Sequence, residues 1–215
     1  MNLRAALEHT LLRADARPSD VDDLCRQVLE FELLGACVNP LFVPRAVGLL
    51  GGRARVISVV GFPLGANSEI ADVVQARWLV EQGAHEIDMV IPVGLALAGE
   101  LGAVTERVRA VRAVTREVIL KVILETGYFE AEELKAVSLA VLEAEPDFLK
   151  TSTGMGPRGA SVEDVRRLVE WAKGEAQVKA SGGIRSLQAA RAMLDAGATR
   201  IGTSSSVSIV QEALR

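Results

Sequence analysis

Three lysines and one aspartate interrupt runs that are otherwise apolar. Asp88 lies in Glu86-Ile87-Asp88-Met89-Val90-Ile91, Lys121 in Leu120-Lys121-Val122-Ile123-Leu124, Lys150 in Phe148-Leu149-Lys150-Thr151 and Lys179 in Gln177-Val178-Lys179-Ala180. An unpaired ion buried in such a run is costly, so each of the four needs a reason to be there. Their separations of 33, 29 and 29 residues are each about one strand-plus-helix unit. Sharing an inward parity, they would converge from four consecutive strands on one barrel mouth. A salt-bridge cluster that merely fills the barrel, or outward lysines at strand ends, would satisfy the same spacing. Three lysines against few acids tip the balance toward chemistry. Excess buried positive charge raises the cost of protonating any one amine, which leaves one lysine partly neutral near pH 7 and able to attack a carbonyl. The expected reaction is Schiff-base chemistry, in which the iminium serves as an electron sink and no metal or cofactor is required. The residues alone leave open which lysine is the nucleophile.

Two glycine-rich segments follow late strands and open helices: Ser181-Gly182-Gly183-Ile184-Arg185-Ser186 and Gly202-Thr203-Ser204-Ser205-Ser206. Glycines let backbone N–H groups approach phosphate oxygens, helix N-termini add a favourable dipole, and Ser204 and Ser205 add hydroxyl donors. Either segment alone reads equally as an ordinary turn or cap. Paired beside a reactive lysine, they predict a phosphate site. Other residues weigh less. His9 could act as a general base, although a lone histidine is more often structural. Cys37 reads as a small buried strand residue, and Gly61-Phe62-Pro63-Leu64-Gly65 as a turn able to wall a pocket. Glu125-Thr126-Gly127-Tyr128 follows the fifth strand.

These residues need a scaffold. Strands are expected near Glu8 to Thr10, Ala36 to Asn39, Val56 to Val60, Ile87 to Ile91, Ile119 to Leu124, Phe148 to Thr151, Gln177 to Ala180 and Arg200 to Thr203. Amphipathic helices are expected over Glu69 to Gln82, Ala103 to Arg116, Ala131 to Ala144, Val162 to Lys173 and Leu187 to Ala196. Asn67, Glu130, Ser161 and Ser186 mark helix starts, while Gly83, Gly174 and Gly197 follow helix ends. Eight βα units without a linker predict an α/β fold, a (β/α)8 TIM barrel in one domain over residues 1–215. A flavodoxin-like sheet would leave the last third of the chain unexplained.

Composition narrows the function classes. With 24 Lys plus Arg against 28 Asp plus Glu and 4% aromatics, the chain of net charge −4 is a poor polyanion binder, so no nucleic-acid partner is expected. There is no signal-peptide h-region and no membrane-length apolar run, so no membrane partner is expected. Two cysteines and two histidines support neither a disulfide framework nor a metal cluster, and a cytoplasmic location follows. The expected partners are a phosphorylated sugar and aldehydes; a homo-oligomer is compatible with the sequence.

The motifs resemble a known family, bacterial deoxyribose-phosphate aldolase, in the same order across nearly the whole chain. They are Glu8-His9-Thr10-Leu11-Leu12, Val60-Gly61-Phe62-Pro63-Leu64-Gly65, Glu86-Ile87-Asp88-Met89-Val90, Leu120 to Thr126, Phe148-Leu149-Lys150-Thr151-Ser152-Thr153-Gly154 and Lys179-Ala180-Ser181-Gly182-Gly183. The resemblance implies a metal-free class I aldolase that reversibly cleaves 2-deoxy-D-ribose 5-phosphate to acetaldehyde and D-glyceraldehyde 3-phosphate. It implies Lys150 as the Schiff-base lysine, Lys179 as the lysine that keeps it partly neutral, and Asp88 as a carboxylate moving protons through water. Gly182, Gly183, Gly202, Ser204 and Ser205 match phosphate-binding positions, Gly154 lies at a similar pocket edge, and Glu8, Thr10 and Lys121 are supporting candidates. Glu8 stands where the family usually has Asp. Family members commonly end in a flexible tail with a terminal tyrosine that assists proton transfer, whereas this sequence ends Val210-Gln211-Glu212-Ala213-Leu214-Arg215. Reduced activity, or a proton moved by another group or by water, is the expectation there. The competing readings are a catalytically silent sugar-phosphate-binding barrel and another Schiff-base barrel enzyme such as a transaldolase.

Overall fold

The computed structural model describes residues 2–215. Eight parallel strands pair in chain order and close into a barrel, β8 hydrogen-bonding to β1. They are β1 (Leu7–Leu11), β2 (Gly35–Val38), β3 (Arg55–Val60), β4 (Glu86–Val90), β5 (Ile119–Ile123), β6 (Phe148–Lys150), β7 (Gln177–Ser181) and β8 (Arg200–Thr203). The helices between them are α1 (Pro18–Glu30), α2 (Val43–Leu50), α3 (Glu69–Glu81), α4 (Val93–Leu97), α5 (Leu101–Val114), α6 (Ala131–Leu142), α7 (Val162–Ala172), α8 (Leu187–Asp195) and α9 (Ser206–Ala213). No described helix is long and apolar enough to cross a membrane.

Strand alternation divides the apolar residues into two bodies. One side chain in two, including Ala36, Val56, Ile87, Leu120, Leu149, Val178 and Ile201, packs under helical residues such as Val104, Val108, Leu134, Val165, Leu168 and Ile209 in one continuous core. Each Val, Leu or Ile among them contributes ~1.5–3 kcal/mol on burial. The alternate positions point into the barrel, where the apolar part is small: Leu12, Cys37, Ile57 and Val59, with Phe62 against them. Val90, Ile123 and Phe148 are also buried on the inward strand faces, and the charged side chains lie among them. This division explains why strand charges could be tolerated: the helices bury the other face completely, and only the lumen carries the ions.

The expected punctuation holds with one shift. Ser161 and Ser186 cap α7 and α8 by accepting backbone N–H bonds from Asp164 and Ala189, and Glu130 forms a capping box with Glu133. At α3 the cap is Ser68 rather than Asn67, because Asn67 Nδ2 instead donates to Asp72 Oδ1 at 3.0 Å. The short α4 lies between β4 and α5, outside the simple eight-unit count. α1 opens on Pro18 and α2 carries proline in its first turn, both suited to a helix start.

Candidate active site

Strand register sets the heights of the charged groups. Asp88 on β4 lies opposite Lys121 on β5, and Lys150 on β6 lies opposite Lys179 on β7, but Lys150 pairs on its other side with Ile123. Lys150 is therefore a two-residue step nearer the C-terminal mouth than Lys121. The four charges converge as expected. Lys121 Nζ donates to Asp88 Oδ1 at 2.9 Å, Lys150 Nζ to Asp88 Oδ2 at 2.7 Å, and Lys179 Nζ to Asp88 Oδ2 at 2.6 Å.

The expectation of few acids is corrected by the structure. Three fully buried carboxylates, Glu8, Glu86 and Asp88, face the three lysines. Lys179 also contacts Glu8 Oε2, while Lys121 lies 2.5 Å from Glu86 Oε2 and 3.6 Å from Glu8 Oε1. Toward the barrel floor, Arg55 and Arg200 approach Glu86 Oε1 at 3.0 and 3.7 Å. The asymmetry of pairing, rather than a surplus of cations, distinguishes the lysines. Lys179 and Lys121 each meet more than one carboxylate; Lys150 meets Asp88 alone.

Protonation follows that asymmetry. Burial lowers the affinity of Lys150 for its proton; Asp88 acts upward, the Lys179 charge acts downward again, and the net is a pKa below the usual lysine value. For Lys179, burial also acts downward, but Asp88 and Glu8 outweigh it and the group is held more firmly protonated than usual. Lys121 is raised for the same reason, chiefly by Asp88 and Glu8 against burial. Burial would raise Asp88, yet Lys121, Lys150 and Lys179 together hold it well below the usual carboxylate range. Cys37 is pushed up to about 11, mainly by burial, and stays a neutral thiol.

Of the three lysines only Lys150, 3% exposed, lines the cavity at the barrel mouth, which has a volume of about 310 Å³. Thr10, Leu11, Leu12 and Arg13 form one side, and Thr153, Gly154 and Met155 another. The remaining wall is made by Ser181 to Arg185 and by Gly202, Thr203 and Ser204. Gly182 has φ +89°, and a Cβ there would lie 2.9 Å from Gly159 Cα and 3.2 Å from Gly154 Cα. Gly202 leaves room for Lys179, whose Cε would be 3.1 Å from an added Cβ. The structure brings the predicted loop residues together except Ser205, which is absent from the lining: it occupies the position before α9, and its N–H donates to Thr203 Oγ1 at 2.9 Å. His9 lies on the other face of β1 from Glu8 and Thr10, with Nε2 2.8 Å from Gln27 Oε1, so it does not serve the cavity.

Sequence reasoning missed Glu86, although it lies two residues before Asp88 and hence on the same strand face. It also missed Thr153, Thr203, Arg13 and Arg185 as lining residues. For these no periodic signal existed, since each belongs to a loop or a strand end.

Residues 6–211 match the family model described as DeoC/LacD family aldolase. The chain belongs to the DeoC/LacD aldolase family. It is 46% identical over 211 residues to a deoxyribose-phosphate aldolase of Thermus thermophilus, covering 98% of this chain and 96% of the relative. With the enzyme of the same name from Carboxydothermus hydrogenoformans the identity is 49%, over 95% of this chain and 92% of the relative. The solved tetrameric deoxyribose phosphate aldolase of Aeropyrum pernix superposes with a TM-score of 0.93 at 32% identity, covering 99% of this chain and 91% of that one.

In this DeoC/LacD aldolase the ion cluster makes a direct prediction. Lys179→Leu removes the like charge that shares Asp88 Oδ2 with Lys150. Lys150 then becomes easier to protonate, and the alkaline rise in borohydride trapping of acetaldehyde should move to higher pH. Glu8 is left with Lys121 alone at 3.6 Å. Breaking a buried pair in this way typically costs about 3–5 kcal/mol, so thermal unfolding should come at a lower temperature. Lys179→Arg should not restore the profile, because a planar, larger guanidinium cannot occupy the ammonium position between Glu8 and Asp88. An unmoved trapping profile in Lys179→Leu would remove Lys179 from the tuning of Lys150.

Proposed function

We propose that the chain is a deoxyribose-phosphate aldolase that cleaves 2-deoxy-D-ribose 5-phosphate reversibly through a Schiff base on Lys150. The observation that carries the assignment of the nucleophile is that Lys150 alone combines an opening onto the cavity with a single carboxylate partner. The neutral amine adds to the C1 aldehyde, and loss of water gives the iminium. The C3 hydroxyl then gives up its proton and becomes a carbonyl, while the electron pair of the C2–C3 bond moves toward the iminium and leaves an enamine. D-Glyceraldehyde 3-phosphate departs, C2 takes a proton, and hydrolysis of the iminium releases acetaldehyde and regenerates the amine.

The neighbouring groups divide the remaining work. Asp88 stays ionised beside the three lysines and is placed to accept and return protons through water. Lys179, firmly charged, keeps a positive potential next to Lys150 that disfavours its protonation. Glu8 and Lys121 hold Lys179 and Asp88 in place through their ion pairs. Gly182, Gly183 and Gly202 with Ser204 receive the phosphate at the rim, Gly154 borders it, and Ser205 acts through the start of α9. Thr10 borders the same cavity, its hydroxyl donating to the Glu8 carbonyl at 3.0 Å.

Borohydride reduction in the presence of acetaldehyde should put one ethyl group on the chain in place of an amine hydrogen, read as the matching gain in intact mass, and incubation with 2-deoxyribose 5-phosphate should release glyceraldehyde 3-phosphate. Binding of the sugar phosphate without trapping would instead identify a silent binding barrel. The phosphate site makes its own prediction. Ser204→Ala and Gly183→Ala should each raise KM for 2-deoxyribose 5-phosphate more than for 2-deoxyribose, by several-fold for one lost hydroxyl donor. Gly183 has φ +78° and no atom within 4 Å of an added Cβ, so the methyl meets no protein atom and the change acts by straining the loop backbone that approaches the phosphate. Equal losses on the two substrates would remove the phosphate from these loops.

A further inference from the structure

The aldol steps make no use of the buried carboxylate of Glu125, which reaches toward the cavity wall. Glu125, 2% exposed, follows β5 with a left-handed backbone at φ 55° and ψ 59°, unusual for a residue with a Cβ. It does not line the cavity. Its carboxylate crosses to the loop after β6, where Oε1 and Oε2 lie 3.3 and 3.2 Å from the Thr153 N–H and Oε2 accepts from Thr153 Oγ1. Thr153 Oγ1 in turn accepts from the Met155 N–H at 3.0 Å. The loop is shaped to receive this carboxylate, since a Cβ at Gly156 would stand 2.7 Å from Glu125 Cδ. Among the described residues no Lys or Arg forms an ion pair with Glu125, so donors from that one loop supply its bonding.

A second contact secures the same loop farther along. Thr126 N–H donates to the Thr151 carbonyl at 2.9 Å, Thr126 Oγ1 donates to Asp164 Oδ2 at 3.0 Å, and Arg158 bridges Asp164 and the Thr126 carbonyl. The segment Glu125-Thr126 thus grips the loop on both sides of Thr153, Gly154 and Met155, the residues that wall the cavity. The grip also sets the polarity of Thr153. A hydroxyl has one proton and two acceptor sites; the proton goes to Glu125 and one acceptor site to Met155, which leaves acceptance alone.

We propose that Glu125 is a positioning residue for the sugar substrate: it holds Thr153, Gly154 and Met155 as one wall of the cavity and presents the Thr153 hydroxyl as an acceptor only. The inference rests on the aldolase reading of that cavity. Acetaldehyde bound to Lys150 is too small to need this wall, whereas the sugar phosphate extends along it. Glu125 therefore governs recognition of the long substrate and leaves imine formation alone.

The test compares two readouts in Glu125→Gln. KM for 2-deoxyribose 5-phosphate should rise by about 10-fold or more, the scale of a lost charge-assisted hydrogen bond, with a smaller change in kcat. The rate of acetaldehyde trapping and its pH profile should match those of the unaltered enzyme. Thr153→Val removes the other end of the contact and should raise KM similarly, and the double variant should be no worse than the poorer single one. Additive effects, or a KM within twofold of the unaltered enzyme, would overturn the proposal. So would parallel losses in trapping, KM and thermal stability, which a purely structural role produces. Should Glu125→Gln fail to fold, Thr153→Ser against Thr153→Val decides: the serine keeps the hydroxyl and should keep KM, and equal KM values would overturn the proposal. Absence of trapping in the unaltered enzyme would instead count against the aldolase reading.

Discussion

Lys150→Ala is expected to abolish acetaldehyde trapping and to lower turnover by roughly 10⁴- to 10⁶-fold, the scale on which loss of a covalent nucleophile is felt. The fold should survive. Asp88 keeps Lys121 at 2.9 Å and Lys179 at 2.6 Å, so no buried carboxylate is left unpaired. The volume vacated by the side chain joins a cavity that is already open at the mouth. In the unaltered chain, peptide mapping after borohydride reduction should place the ethyl group on Lys150. Lys179 and Lys121 are poor competitors, since both are fully buried and raised in pKa by their carboxylates. An adduct on either would show that pairing asymmetry does not select the nucleophile.

That asymmetry was not legible in the sequence, although the cluster was. Asp88, Lys121, Lys150 and Lys179 stood out because each breaks an apolar run at the centre of a strand, and their even spacing follows from the repeat of the fold. The balancing acids were harder to see. Glu86 begins its strand directly after His85, where a charge reads as the end of a turn, and Glu8 lies in a five-residue strand with polar neighbours at His9 and Thr10. Counting charges without them gave a false surplus of cations. The choice of nucleophile then depended on resemblance, whereas the structure supplies a separate reason through register, which raises Lys150 above Lys121 and leaves it one partner. Periodicity predicts which face a residue occupies; it carries no information on height within a closed barrel. Loop residues such as Glu125 and Thr153 carry no sequence signal of their roles, because their contact crosses from one βα loop to the next.

The lowering of Lys150 and the ionisation of Asp88 are two aspects of one network, and Asp88→Asn should separate them. Asparagine keeps the shape but removes the only carboxylate paired with Lys150. The Lys179 charge beside Lys150 is then no longer offset, so protonation of Lys150 becomes still less favourable. A neutral amine is what adds to acetaldehyde, so the alkaline rise in trapping should move to lower pH, opposite to the movement expected for Lys179→Leu. Turnover should nevertheless fall by about 10²- to 10⁴-fold, because the group that accepts and returns the protons has lost its charge. Two carboxylates, Glu8 and Glu86, would remain against three lysines, with Lys179 still on Glu8 and Lys121 still on Glu86. The surplus cation is most easily relieved at Lys150, the one lysine that faces the cavity and can give up its proton there. Faster trapping near pH 6 combined with slow cleavage of 2-deoxyribose 5-phosphate is therefore the signature to measure. A trapping profile displaced to higher pH, or not displaced at all, would mean that Asp88 does not set the charge state of Lys150.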